Sequence, residues 1–390
     1  MYDFDQIIPR YGTNSLNYDF IKERTGREDL LPLWVADMDF SLPSEVLEPL
    51  KERVAHGIFG YSDPKESYYK ALSGWYERHH HWTIERRWNT VVPGVVYGIA
   101  QAILALTKPG DAILIQQPVY YPFSEVILDN GRCLVNSELV FNGTGYEIDF
   151  EDLERKILEE DVKMFLLCNP HNPVGRVWTL EELRRIDEIT RRHQVLVFSD
   201  EIHGDFTFPG YEYTPYATVS EEAAQNAVIG TSPSKTFNIA GLQVSNIVIP
   251  NPALRKQYRH AVAASGYSQG NTMGLLAGEL VYARGDDWYK ELLSYLDGNL
   301  SFIREYLKEH LPKLQLIEPE GTYLIWINFE GLGLTKEQLD QLIVDRAHLF
   351  LDAGSIFGAA SAQFYRFNIA CPRSILEQAF DQLKEAMDSL

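Results

Sequence analysis

Three polar residues in the middle of the chain follow apolar runs, in an order that could do chemistry together. Asn172 lies in a turn rich in Asn, Pro and Gly, Asp200 ends the next apolar run, and Lys235 follows a third. A lysine forms a Schiff base with an aldehyde, and a carboxylate pairs with a pyridinium nitrogen so that the ring can act as an electron sink. An amide can hydrogen-bond the phenolic oxygen of the same ring. These residue types in this order therefore indicate a site for pyridoxal 5'-phosphate (PLP).

Short apolar strands and helices alternate around these residues and must position them. Thr179 and Glu182 have the spacing of a capping box, in which each side chain serves the other's backbone amide at a helix start. Alternating strands and helices predict βαβ units, a mostly parallel sheet and an α/β fold class. Ligands of such sheets bind at the carboxyl ends of the strands, where Asn172, Asp200 and Lys235 all fall. The predicted strands are Ala112-Ile-Leu-Ile-Gln, Met164-Phe-Leu-Leu-Cys, Val195-Leu-Val-Phe-Ser and Ala227-Val-Ile-Gly.

The pattern changes after about residue 285 to a mixture of helices and strands. A long helical stretch over 288–310 precedes residues 321–328, which alternate like a half-exposed strand. Thr335 stands at the start of a second capping-box spacing. A further strand is predicted over 364–369. This part of the chain is therefore expected to form a smaller α+β domain.

Composition and charge limit the classes of function. Hydrophobic residues at 45% and charged residues at 23% are ordinary for a globular protein. The formal net charge of −20 argues against binding to nucleic acid or an anionic membrane. No apolar stretch is long enough for a transmembrane helix, and the N-terminal sequence does not resemble a signal peptide. Cys133, Cys168 and Cys371 are too scattered for a disulfide framework and form no Cys-x-x-Cys pair. We expect a cytoplasmic protein without a metal.

Three segments of the sequence resemble a known family. They are NPHNPVGRVWT at 169–179, SDEIH at 199–203 and SPSKTFNIAGLQ at 232–243. They resemble fold-type I PLP enzymes of the aspartate aminotransferase superfamily, and more narrowly the MalY/PatB-type cystathionine β-lyases. The resemblance runs from Trp34 to Arg366 and implies a large PLP-binding domain with a mostly parallel sheet beside a small domain. The implied bounds are 46–285 for the large domain and 286–390 for the small one, with residues 1–45 packing against the latter.

Lys235, Asp200 and Asn172 receive the three central roles. Lys235 is the candidate Schiff-base lysine and the base at the substrate Cα, for which its amine must be neutral during part of the cycle. Asp200 is the candidate partner of the pyridine nitrogen, and Asn172 that of the phenolic oxygen. A surface lysine, a helix cap and a rigid turn are the alternative interpretations of the same residues.

The cofactor phosphate is expected at the helix start that follows Gly94. Free N–H groups and a positive dipole at a helix N-terminus favour anions, although many helices begin after glycine. The resemblance places the phosphate on the amides of Val95 and Val96, with a hydroxyl from Ser232. Gln243 stands where aminotransferases usually have the arginine that neutralises this phosphate. That departure speaks against a standard aminotransferase and matches the lyases better.

Three tyrosines and a histidine complete the cofactor site that the resemblance implies. Tyr120 would stack on the ring and is counted among the catalytic residues, and Tyr121 would line the substrate pocket. His203 replaces a tyrosine that hydrogen-bonds the phenolic oxygen in many aminotransferases, so its own role is open. Tyr61 resembles the tyrosine that crosses a dimer interface to the neighbour's phosphate, which implies a homodimer. From the sequence alone, the Gly-Tyr-Ser segment that contains Tyr61 indicates only a turn.

Arg366 is the candidate for the α-carboxylate of an amino-acid substrate, because its guanidinium matches a carboxylate bidentately. An arginine that alternates with Tyr365 and Phe367 could instead point to solvent. By resemblance, Asn172 and the backbone around Ala36 assist in binding the substrate.

The resemblance favours β-elimination from L-cystathionine, which yields homocysteine, pyruvate and ammonia. L-Cystine, L-cysteine and S-alkyl cysteines are further expected substrates. A class I/II aminotransferase is the first alternative, and its need for a keto-acid acceptor distinguishes it. A PLP-fold protein with an additional regulatory protein-binding role is the second.

Overall fold

The structure is a computed structural model that describes residues 2–390. Its strands are β1 Leu31–Pro32, β2 Asn89–Val92, β3 Ala112–Ile115, β4 Cys133–Asn136, β5 Val140–Phe141, β6 Tyr146–Glu147, β7 Val162–Cys168, β8 Leu196–Asp200, β9 Ala227–Thr231, β10 Ser245–Val248, β11 Gln315–Ile317, β12 Leu324–Asn328, β13 Leu349–Phe350, β14 Asp352–Ala353 and β15 Phe364–Asn368. Its α-helices are α1 Ile21–Thr25, α2 Ser44–Ala55, α3 Glu66–His80, α4 Val95–Leu106, α5 Pro122–Asp129, α6 Phe150–Glu159, α7 Leu180–Arg192, α8 Glu221–Gln225, α9 Pro233–Thr236, α10 Pro252–Ala264, α11 Thr272–Arg284, α12 Asp286–His310, α13 Lys336–Gln341 and α14 Arg373–Asp388. A π-helical segment follows α13 at Leu342–Arg346.

A seven-stranded sheet in the order β2-β10-β9-β8-β7-β3-β4 forms the centre of the molecule. β9, β8, β7, β3 and β4 run parallel to one another, and β10 is antiparallel to both of its neighbours. The predicted strands are β3, β7, β8 and β9 of this sheet. The α/β fold class with a mostly parallel sheet is therefore confirmed.

Side chains of β7 show why these strands are continuous apolar runs rather than alternating ones. Met164, Leu166 and Cys168 belong to the apolar core on one side of the sheet. Phe165 and Leu167 belong to the core on the other side. Both faces of the sheet are covered, as is usual for parallel sheets. Side chains on either face are therefore buried, and the strand needs apolar residues at successive positions.

The helix that the first capping box predicts is α7. Thr179 Oγ1 accepts a hydrogen bond from the amide of Glu182 at 3.2 Å, and the Glu182 carboxylate accepts one from the amide of Thr179 at 2.8 Å. The second predicted capping box begins α13, where Thr335 and Gln338 make the same pair of bonds. The long helical stretch predicted over 288–310 is α12.

The strand predicted over 321–328 is β12, and the expectation that it is half exposed is wrong. All residues of β12 are buried, and the strand lies inside the sheet β11-β12-β15-β14. The amphipathic side chains that gave the alternating pattern are buried with their polar atoms paired. Trp326 Nε1 donates to Tyr146 at 3.2 Å, and the Tyr323 hydroxyl donates to the Ala36 carbonyl at 2.9 Å.

Residues 34–38, which we call the N-terminal strap, are held against the C-terminal part of the chain. The preceding strand β1 pairs in parallel with β13. Asn368 Nδ2 donates to the carbonyl oxygens of Val35 and Asp37 at 2.7 and 2.6 Å. From the central part, Asn238 accepts from the amide of Met38 at 3.0 Å and donates to its carbonyl at 2.8 Å. These contacts support the division at residues 45 and 285, which stays a prediction.

Within residues 2–390, no helix combines the length and the apolar character needed to traverse a membrane.

Candidate active site

A cavity of about 280 Å³ opens at the carboxyl ends of the parallel strands. Asn172 follows β7, Asp200 ends β8, and Lys235 lies on α9 directly after β9. The structure therefore brings together the three residues from which the PLP site was predicted. The cavity is lined by Leu16, Trp34, Val35, Ala36, Pro93, Gly94, Val95, Val96, Tyr120, Tyr121, Cys168, Asn172, Asp200, Ile202, His203, Ser234, Lys235, Ala240, Val244, Ser245, Asp352 and Arg366.

Asp200 is a buried carboxylate with few partners. Its Oδ1 accepts a hydrogen bond from the amide of Ile202 at 3.1 Å. Burial raises the pKa of Asp200 to about 7, against the opposing effects of the Ile202 amide and the Lys235 charge. A cation placed against this carboxylate would restore its ionised form. The pyridinium nitrogen of PLP is such a cation, so Asp200 fits the predicted role.

The next carboxylate along the chain, Glu201, is hydrogen-bonded within the fold and points away from the cavity. It accepts hydrogen bonds from Ser199 Oγ and from the amide of Tyr216, each at 2.8 Å, and from the hydroxyl of Tyr213. Glu201 is buried and does not line the cavity. Successive residues at a strand end point to opposite sides, which explains why only one of the two carboxylates reaches the ligand space.

Lys235 is partly buried and directs its amine to the N-terminal strap. Its Nζ donates to the carbonyl oxygen of Ala36 at 2.6 Å. Burial lowers the pKa of Lys235 to about 8, and the positive charge of Arg366 adds to this effect. Asp37 and Asp200 act in the opposite direction. An appreciable fraction of the amine is thus neutral near neutral pH, as a nucleophile and base require.

This lowered pKa predicts how apoprotein takes up the aldehyde cofactor. Only the neutral amine attacks an aldehyde, so the rate should rise with pH and level off above about 8, the pKa of Lys235. Stopped-flow absorbance of added PLP, followed across the range from about pH 6 to about pH 10, measures this rate. Apoprotein of Lys235→Ala is the control. A rate that keeps rising up to the pKa of an ordinary lysine would contradict the prediction.

The N-terminus of α4 forms one end of the cavity. Gly94 precedes the helix and offers no side-chain cap, so the first N–H groups of α4 are left for another acceptor. Gly230 of β9 lies against this turn, since a Cβ there would come within 2.8 Å of Val95 Cγ1. Val95 and Val96 both line the cavity. Their amides are placed where a phosphate could bind.

Ser232 and Gln243 do not face this end of the cavity. The Ser232 hydroxyl donates to the carbonyl of Val244 at 2.7 Å and accepts from the amide of Ser234 at 3.1 Å, so it caps α9. Ser234, rather than Ser232, lines the cavity. Gln243 is an exposed residue with a positive φ of 53° at the end of a 3₁₀ turn. A phosphate role for Ser232 stays a prediction, and Ser234 is the better placed hydroxyl.

Aromatic and apolar side chains bound the middle of the cavity. Tyr120 and Tyr121 both line it, with ring centroids 5.5 Å apart. Burial raises the pKa of both phenols. Ile202 and His203 line it from the loop after β8. Sequence reasoning missed Ile202, which only its position two residues after Asp200 could have indicated.

Arg366 lies on β15 and reaches the cavity from the C-terminal part of the chain. Its Nη1 donates to Asn172 Oδ1 at 2.9 Å, and its Nη2 donates to the carbonyl of Trp34 at 2.8 Å and to Asp352. It is buried, so the alternative that it points to solvent is excluded. Asp352 was not predicted from the sequence, because only the pairing of β14 with β15 brings it to Arg366.

Three buried polar atoms of the lining residues have no partner within the described chain. They are Arg366 Nε, His203 Nδ1 and Trp34 Nε1. Burial and the charges of Lys235 and Arg366 lower the pKa of His203 well below its usual range, so the imidazole is neutral. Buried polar atoms are nearly always hydrogen-bonded in folded proteins. These atoms fit a polar ligand such as PLP together with a carboxylate-bearing substrate.

Tyr61, like Ser232, is a predicted site residue that does not line the cavity. Its side chain is 96% exposed. It borders a separate surface depression with Phe59 and Tyr267. Within residues 2–390, no group of three or more His, Cys, Asp and Glu side chains is arranged to hold a metal ion.

The chain is similar to known proteins over nearly its whole length. The family profile described as aminotransferase class I and II matches residues 28–383. Cystathionine beta-lyase PatB of Bacillus subtilis (strain 168) is 39% identical over 99% of this chain and 100% of that protein, and protein MalY of Escherichia coli (strain K12) is 31% identical over 99% of each. The crystal structure of cystalysin from Treponema denticola, which contains PLP, has a TM-score of 0.96 at 35% identity and covers 100% of this chain and 99% of that one. The chain therefore belongs to the aminotransferase class I and II family and, within it, to the group of PatB and MalY.

Proposed function

We propose that the chain is a PLP-dependent carbon–sulfur β-lyase that cleaves L-cystathionine to homocysteine, pyruvate and ammonia. The observation that carries the proposal is the convergence of Lys235, Asp200 and Arg366 on one cavity. The name of the relative cystathionine beta-lyase PatB supports the reaction. The PLP in cystalysin supports the cofactor.

Residues at three places in the cavity would hold PLP. Asp200 would face the pyridine nitrogen, and the amides of Val95 and Val96 would receive the phosphate. Asn172 and His203 would serve the phenolic oxygen, and Tyr120 would pack on the ring. When bound, the cofactor supplies an electron sink for the pair of electrons left at the substrate Cα.

Lys235 handles the proton at the reacting carbon. Its amine, with a pKa lowered to about 8, is poised to accept a proton near neutral pH. The Ala36 carbonyl accepts a hydrogen bond from Nζ at 2.6 Å and so fixes the position of the amine. Tyr323 donates to the same carbonyl at 2.9 Å and holds it in place.

Arg366 would orient the substrate through its α-carboxylate. Its Nε is buried without a partner and is therefore available to a carboxylate oxygen. With the carboxylate fixed, the Cα proton can face Lys235. Breaking the Cα–H and Cβ–S bonds releases the sulfur as a thiol, and water converts the remaining enamine to pyruvate and ammonia. No keto acid is consumed.

An aminotransferase is the alternative that the same family contains, and one assay separates the two. We expect purified protein with L-cystathionine alone to release pyruvate and free thiol in equal amounts. The measurement is coupled pyruvate detection together with a thiol reagent, with and without added α-ketoglutarate. S-Ethyl-L-cysteine serves as a second substrate with the same bond. Turnover only in the presence of α-ketoglutarate would contradict the lyase proposal and support an aminotransferase.

A homodimer is proposed from the exposed segment that contains Tyr61. Ile58 and Phe59 beside it are 66% and 55% exposed. Adjacent exposed apolar side chains mark surfaces that bind another protein. A second copy of the chain would cover them and bring Tyr61 to the neighbouring phosphate site.

The three cysteines are free, in agreement with the proposed cytoplasmic location. The regulatory role stays a prediction.

A further inference from the structure

Arg24 stacks on Trp34, a residue that lines the cavity, and has no acidic partner within the described residues. It is an exposed residue of α1, and its guanidinium carbon lies 4.9 Å from the centroid of the Trp34 ring. The neighbouring cations of the same segment are paired: Lys22 with Glu28, and Arg27 with Asp29 and Asp345. Within the described residues, Arg24 forms no ion pair, in a chain with 35 basic and 55 acidic residues.

Trp34, on which Arg24 stacks, provides a second unused donor. The indole is 9% exposed and lines the cavity, and its Nε1–H is buried without a partner. A buried indole N–H normally donates a hydrogen bond. The stacked guanidinium and the indole N–H are thus two donor groups without a partner on adjacent side chains.

The charged residues that line the cavity already have a bonding partner or a proposed role. Lys235 and Asp200 serve the cofactor under the proposed function, and Arg366 serves the α-carboxylate. Asp352 is bonded to Arg366. Burial raises the pKa of Asp352, and the charges of Arg366 and Arg24 oppose that rise. The charge of Arg24 therefore acts on Asp352, which lines the cavity.

We propose that Arg24, with the indole N–H of Trp34, binds the distal carboxylate of a cysteine S-conjugate that is itself an amino acid. L-Cystathionine and L-cystine have such a group beyond the sulfur, whereas S-alkyl cysteines do not. The inference rests on the proposed lyase function and names the substrate class that Arg24 and Trp34 select.

Replacing Arg24 by methionine, which keeps an apolar contact with Trp34, tests this role. The KM for L-cystathionine should rise about tenfold with little change in kcat, the effect of losing a charge-assisted hydrogen bond at a partly exposed site. The kcat/KM for S-ethyl-L-cysteine, which has the same scissile bond and no distal charge, should stay unchanged. Lys22→Met is the matched control, since it removes one positive charge from the same helix.

Binding of unreactive ligands gives a second readout that does not depend on turnover. L,L-Diaminosuberate has a methylene in place of the sulfur of L-cystathionine, and L-norleucine ends in a methyl group. Titration calorimetry on the holoprotein should show that Arg24→Met weakens the first ligand about tenfold and leaves the second unchanged.

The outcomes separate this inference from the proposed function. Equal losses for both substrates, no loss for L-cystathionine, or the same loss in Lys22→Met would overturn the role of Arg24 while leaving the lyase intact. If the wild-type protein releases no pyruvate from either substrate, the lyase proposal fails. The calorimetric comparison of the two unreactive ligands would then still decide whether Arg24 binds a distal carboxylate.

Discussion

Replacing Lys235 by alanine is expected to lower kcat for pyruvate release by a factor on the order of 10⁴ or more. Under the proposed function, Lys235 supplies both the amine that joins the cofactor and the base at Cα, and among the described residues no other lysine lines the cavity. The visible absorbance of bound cofactor should shift as well. The measurements are single-turnover pyruvate release and the absorbance spectrum of the holoprotein. Residual turnover within tenfold of wild type would reject the role of Lys235.

The same variant can test whether two chains share one site. Lys235→Ala and Tyr61→Ala chains with different tags would be co-expressed, and the mixed dimer would be purified through both tags. If Tyr61 crosses the interface, one of the two sites in each mixed dimer contains both native residues, and activity at limiting PLP should recover to about half of wild type. No recovery above Tyr61→Ala alone would reject the shared site.

Replacing Asp200 by asparagine is expected to lower kcat by a factor on the order of 10²–10³, the range seen when a preorganised electrostatic partner is lost. The variant has nearly the same shape, and its side-chain oxygen can still accept from the Ile202 amide, so the change is mainly one of charge. A neutral partner cannot hold the ring nitrogen protonated. Steady-state kcat and the affinity for PLP measure the effect.

Although Asp200→Asn should lower kcat, the same substitution should raise the thermal stability of the apoprotein. Burial raises the pKa of Asp200 to about 7, so the folded state of the wild type favours the protonated carboxyl. Its contribution to stability is present below the unfolded pKa and is lost as the pH rises towards 7. Asparagine has no proton to lose, so above pH 7 the variant apoprotein should have the higher Tm. A lower Tm would mean that the buried, ionised carboxylate of Asp200 does not destabilise the apoprotein.

Glu201→Gln is the matched control for both measurements. Glu201 is the next residue along the chain, and burial also raises its pKa to about 7. Its carboxylate is bonded within the fold and does not line the cavity. A change in stability with kcat near that of wild type is expected. A loss of kcat as large as that of Asp200→Asn would show that the charge of this strand end acts without a specific partner.

Local signals in the sequence predicted the cofactor half of the cavity. Asn172, Asp200 and Lys235 each follow a strand whose apolar run is unmistakable, and parallel strands bring their carboxyl ends to one edge. Thr179 and Glu182 marked the start of α7 because a capping box needs only residues that are close in sequence. For these elements, pattern and structure depend on the same short-range contacts.

The substrate half could not be predicted in this way. Trp34, Tyr323 and Asp352 come from three separate parts of the chain and meet only through tertiary pairing. The burial of β12 was missed for the same reason, because its amphipathic side chains find their partners in distant segments. The resemblance placed Ser232 at the cofactor phosphate, and only the structure shows that its hydroxyl caps the helix on which Lys235 lies.

The contacts of the N-terminal strap have a consequence for the synthesis of the protein. The strap is synthesised well before Arg366 and Asn368, the residues of β15 that bind it. A growing chain can therefore complete the strands that carry Asp200 and Lys235 well before the opposite wall of the cavity exists. Until translation has passed β15, the nascent chain contains the proposed cofactor-binding residues but lacks Arg366, the proposed partner of the substrate carboxylate.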